Sequence, residues 1–143
     1  MEWAALITWV LTAGGGFFML SLWLKNGGMK QSDAPGDRIR PPRILSHFAL
    51  AATGLVVWII YVATDSDVLR WVAFAILLVV AALGFTMARL WRQERAAAEA
   101  ATGQPTTELP PEQHFPVPLI GLHGLLALAT LVLVLLTALG VGD

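Results

Sequence analysis

The sequence predicts an all-α integral membrane protein: four transmembrane helices in an up-down-up-down bundle, built from two similar helical hairpins. Three observations predict it. The 143-residue chain is 57% apolar and only 13% charged, whereas a soluble domain averages about 45–50% and about 25%. Four stretches, roughly 3–24, 43–64, 70–91 and 117–140, are apolar over the length of about 20 helical residues needed to cross about 30 Å of hydrocarbon. The second half of the chain also repeats the pattern of the first. Segments in lipid must satisfy their own backbone hydrogen bonds, so the four stretches are read as helices. They leave no room for a separate soluble domain.

The first segment begins Met1-Glu2-Trp3 and has no Lys or Arg before Lys25. It lacks the basic start of a signal peptide and reads as a retained helix. Gly14, Gly15 and Gly16 lie inside it and read as close-packing residues of a membrane helix, not as a phosphate loop. A Gly-, Pro- and charge-rich loop follows, about 25–42. The second segment opens after Pro42 and runs to Thr64. Thr64-Asp65-Ser66-Asp67 reads as a helix exit followed by a cap for the third segment. The third continues past the hydrocarbon as a helical extension from Arg92 to Ala101. A Pro/Thr/Glu linker then completes the second loop, about 92–116, before the fourth segment. Trp3, Trp23, Trp71 and Trp91 stand at segment ends, where interfacial anchors are expected.

Charge sets the orientation. Lys25, Lys30, Arg38, Arg40, Arg43, Arg89, Arg92 and Arg95 all fall in or beside the two long loops, and only Arg70 lies at the other face. The positive-inside rule then puts both long loops in the cytoplasm and both termini outside, in a bacterial-type inner or plasma membrane. The formal net charge of −1 gives no reason to expect nucleic acid as a partner. The absence of cysteine excludes disulfides, thiolate metal sites and iron–sulfur clusters.

Sliding the chain by 68 residues places the first segment on the third. Eight of 21 positions are then identical, among them Trp3/Trp71, Gly16/Gly84, Phe17/Phe85, Met19/Met87 and Trp23/Trp91. An offset of 76 places the second segment on the fourth, matching Pro42/Pro118, His47/His123, Leu50/Leu126 and Ala51/Ala127. Two hairpins, about 3–64 and 70–140, are thus related as parallel repeats, with an axis along the membrane normal. A competing register aligns His47-Phe48 with His114-Phe115, but it sets an apolar helix against Pro110-Pro111-Glu112-Gln113.

His47 and His123 each lie five residues after the matched proline, on helices that run in the same direction. Both imidazoles are expected at one depth, one to one and a half turns inside the membrane. Ionisable groups there are rare and mark function. In a four-helix bundle the second and fourth helices are diagonal, with axes roughly 12–14 Å apart. That is too wide for the rings to touch and right for one metal atom between them. Two histidines are too few for zinc. They suffice for haem, whose macrocycle already supplies four nitrogens. Ala51 and Ala127 one turn on, then Gly54 and Thr130, leave room for a flat macrocycle. Arg43 and Arg89 are placed to pair with its propionates. His114 reads as a surface residue.

In His47 of Ser46-His47-Phe48 and His123 of Leu122-His123-Gly124, in helix number and in repeat geometry, the chain resembles the small membrane b-type cytochromes. The resemblance implies one b-type haem held by His47 and His123, and electron transfer with quinone or another carrier. Two other readings stand beside it. One is a cofactor-free accessory or assembly subunit of a larger membrane complex, as a homodimer or beside other subunits. The other is a small transporter, against which no Asp, Glu or Lys lies deep in a helix.

Overall fold

The computed structural model describes residues 1–33, 39–100 and 110–141. Four helices carry the fold: α1 (Glu2–Lys25), α2 (Pro41–Thr64), α3 (Asp67–Ala100) and α4 (Val117–Ala138). Two short 3-10 turns, Gly28–Asp33 and Pro111–His114, follow α1 and precede α4. All four helices are long and apolar enough to cross a membrane. Arg38 and the linker residues 101–109 lie outside the described residues.

The helix ends follow from local chemistry. Proline occupies the first two positions of α2, and Pro118 stands at the start of α4, where a missing N–H costs nothing. Asn26 closes α1, with its Nδ2 donating to Leu22 O at 2.8 Å. Asp65 ends α2 in the left-handed region, φ 52°, and its N–H donates to Tyr61 O at 2.7 Å. Ser66 O then accepts from Leu69 and Arg70, starting α3 after a two-residue turn. Arg70 pairs with Asp67 at 2.6 Å and donates from Nη1 to Thr137 O at 3.3 Å. A cation thereby meets a buried carbonyl in the last turn of α4. Inside the helices the hydroxyls of Thr12, Thr53 and Thr130 donate to carbonyls four residues back. They need no water there.

The short turn and both helix-bearing termini mark one end of the bundle, here the turn pole. The two 3-10 turns mark the other, the loop pole. Around the bundle α1 packs chiefly on α4 and α2 chiefly on α3, while α1–α2 and α3–α4 touch less. The strongest contacts therefore join the two hairpins instead of forming within them. Large apolar side chains cover the outside, including Phe17, Phe85, Val68 and Leu125. Such a surface suits lipid and not water.

Packing obeys the repeat offsets. Among the described residues six buried pairs are related by 68 or 76: Ala5/Ala73, Trp9/Leu77, Trp23/Trp91, Gly54/Thr130, Trp58/Val134 and Tyr61/Thr137. In the turn-pole half one hairpin supplies the bulky member (Trp9, Trp58, Tyr61) and the other a smaller one. The Trp9 and Trp58 rings lie 6.3 Å apart, and Trp58 and Tyr61 4.7 Å apart. Large against small across the axis fills the core without strain.

Two of the four expected anchors are not interfacial. Trp3 and Trp71 are exposed at the turn pole, but Trp23 and Trp91 are buried. A 3-10 turn covers each of them. Gly28 sits flat on the Trp23 indole. Trp91 Nε1 donates to Glu112 O at 3.0 Å, and Gln113 Nε2 donates back to Trp91 O at 3.3 Å.

Candidate functional site

His47 on α2 and His123 on α4 converge across the diagonal of the bundle, with ring centroids 6.4 Å apart and planes inclined by 58°. Each is held by the helix beside it. His47 Nδ1–H donates to Val80 O of α3 at 3.1 Å, and His123 Nδ1–H donates to Thr12 O of α1 at 3.0 Å. A carbonyl only accepts, so Nδ1 carries a proton, and in the neutral tautomer Nε2 keeps the lone pair. Thr12 and Val80 differ by 68 residues, like the helices they sit on.

Glycine makes the close approach possible. A Cβ on Gly16 would stand 3.1 Å from Cε1 of His123, and a Cβ on Gly84 would stand 3.1 Å from Cε1 of His47. These two are again related by 68. The imidazoles thus turn their Cε1 edges to glycine in two equivalent seats, each with its Nδ1 bonded. Orienting a histidine through its other nitrogen is the usual support of a metal ligand. Two imidazoles bound to one metal atom between them hold their centroids about 6 Å apart, from metal–nitrogen bonds of about 2.0–2.1 Å and a ring radius of about 1.1 Å. The observed spacing meets that requirement. Among the described residues no group of three or more His, Cys, Asp or Glu stands close enough to hold a metal ion.

The other expected site residues divide. Ala51 and Ala127 are half-buried, one turn from each histidine. Thr130 is fully buried, its hydroxyl on Leu126 O at 2.8 Å. Gly54 does not supply the expected room. A Cβ there would stand 2.9 Å from Cζ2 of Trp9 and 3.1 Å from Cγ2 of Ile76, so the space is already filled by indole. Trp9 therefore fills the bundle two turns beyond His47. Arg43 is half-buried one turn toward the loop pole from His47, Arg89 is exposed, and His114 is exposed in the second 3-10 turn.

Sequence reasoning missed the seats. Gly16 belongs to a triplet that reads as ordinary helix packing, and the carbonyls of Thr12 and Val80 have no side-chain signature. The repeat held the signal for Gly16 and Gly84, which match at the same offset as their helices. Comparisons with protein-family models, with curated proteins and with solved structures give no match, so the residues themselves carry the assignment.

Proposed function

We propose that this chain is a membrane electron-transfer protein of b-type cytochrome character, acting alone or as a subunit, with one haem between His47 and His123. The observation that carries the reading is the convergence of two imidazoles, 6.4 Å apart, each fixed through Nδ1 to a neighbouring helix. A haem iron held there supplies one-electron oxidation and reduction. The protein's part would be ligation by two Nε2 atoms, small residues beside them (Gly16, Gly84, Ala51 and Ala127), and Arg43 on the loop-pole side. The reading of the histidines as plain clamps between helices accounts for the Nδ1 bonds. It gives no reason for two clamps to face each other at one level.

The loop pole is the cytoplasmic side in this reading, because eight of the nine basic residues fall in sequence in or beside the two long loops. The chain has no cysteine, so a single Cys introduced at 104, in the second loop, reports the side directly. In intact cells or spheroplasts it is expected to resist a membrane-impermeant maleimide and to react after permeabilisation. Labelling in intact spheroplasts would reverse the orientation.

Quinone, dissolved in the same leaflet, is the electron partner that fits a haem buried at this depth. Haem-loaded protein in vesicles is expected to be reduced by a lipid-soluble quinol far faster than by a soluble two-electron donor such as NADH. Reduction by neither, in protein that dithionite still reduces, would remove quinol from the account.

A further inference from the structure

Trp23 has a buried donor that its repeat mate does not leave open. Both indoles stand at the loop pole, 0% and 7% exposed. Trp91 Nε1 donates to Glu112 O at 3.0 Å. Trp23 Nε1 is equally enclosed and finds no acceptor among the described residues. Gly28, which covers Trp23, lies over the fused carbons of the indole. A buried N–H without a partner is rare and costly, and calls for an explanation.

Its place in the bundle offers one. Trp9, Gly16 and Trp23 are spaced by seven residues and share one face of α1. Gly16 seats His123, Trp9 closes the turn-pole side, and Trp23 stands two turns, about 10 Å, toward the loop pole. Arg43 approaches the same side from α2, half-buried, one turn from His47. A donor without an acceptor and a guanidinium thus flank the imidazole pair on one side only. Both bind an acceptor-only anion, and haem carries its two carboxylates on a single edge.

We propose that Trp23 donates its indole N–H to a propionate carboxylate of the bound haem, with Arg43 as the countercharge, so that the carboxylate edge of the haem faces the loop pole. The proposal rests on the haem reading above. Trp91 takes no part, because Glu112 already holds its N–H.

Trp23→Phe and Trp91→Phe separate the two roles when compared with and without haem. Haem loss is followed by transfer to apomyoglobin, and the haem-free proteins are melted in the same detergent. A hydrogen bond to a charged group predicts roughly 10-fold to 100-fold faster haem loss from Trp23→Phe. Without haem this variant is expected to melt no lower than the parent, because the unpaired donor is gone. Trp91→Phe should do the reverse: it melts lower without haem and loses haem at the parental rate. Haem dimethyl ester, with both carboxylates blocked, should leave the parent faster than haem does, and at least as fast as haem leaves Trp23→Phe, because the ester also gives up the Arg43 countercharge. The ester comparison on the parent protein stands even where a variant folds poorly. Equal retention of haem by Trp23→Phe and parent, or of haem and ester by the parent, overturns the proposal. A parent that binds no haem overturns the functional reading itself.

Discussion

Replacing either His47 or His123 with Ala is expected to abolish the visible spectrum of a bis-imidazole b-type haem while leaving a folded four-helix bundle. Each imidazole makes one bond outward, through Nδ1 to Val80 O or Thr12 O, and under the proposed function would make one inward, through Nε2. The outward bond is one interhelical contact among many, and its loss with the ring costs about 1–3 kcal/mol. Under the proposed function the inward bond would supply half of the iron's protein ligands, so its loss should release the haem. The two single variants should therefore behave alike, as the repeat requires. The check is haem content by absorbance alongside helicity by far-UV circular dichroism. If one variant kept its full haem spectrum, the symmetric ligation would be wrong.

The largest effect on the fold is expected at Gly28. A Cβ there would fall 2.1 Å from Cδ2 and Cε2 of Trp23, well inside contact distance. The indole is fully buried and cannot swing away. Either the first 3-10 turn lifts off or Trp23 leaves its site, and overpacking of this kind costs about 1–3 kcal/mol or more. Gly28→Ala should lower Tm by about 5 °C or more. Gly124→Ala is the matched control, since a Cβ there meets nothing within 4 Å; its Tm should be unchanged or slightly raised. Equal melting of the two variants would mean that the turn does not rest on Trp23.

The parts of this fold that can be read from sequence are those written in long apolar runs and in repetition. Twenty apolar residues make a helix in lipid whatever their order, so all four segments were legible to within a few residues. The offsets of 68 and 76 were legible because Trp, His, Gly and Pro recur at them. The common depth of His47 and His123 followed from two prolines. Other features leave no local trace. A tryptophan at a segment end looks the same whether it stands exposed, as Trp3 does, or is roofed by a 3-10 turn, as Trp23 and Trp91 are. Gly54 looks like empty space until Trp9, 45 residues earlier, is seen to fill it. Helix partners are equally silent. Hairpin connectivity puts α1 beside α2, yet the closest packing joins α1 to α4 and α2 to α3. That choice is made by large and small side chains meeting across the axis, Trp9 and Trp58 on one side, Leu77 and Val134 on the other.

It also accounts for where the site forms. Each hairpin brings one histidine, one seating glycine and one orienting carbonyl, and each seat is completed by the other hairpin: His47 rests on Gly84 and Val80 O, His123 on Gly16 and Thr12 O. The imidazole pair exists only when the two halves are docked. A cofactor bound between them would tie the halves together and raise the stability of the whole by mass action.

The most direct test of this account is the reduced-minus-oxidised absorption spectrum of the parent protein, purified in detergent from cells supplied with haem. The account predicts a b-type haem spectrum with one haem per chain. A colourless protein, folded and monodisperse, would contradict it, and the facing histidines would then be clamps between helices and nothing more.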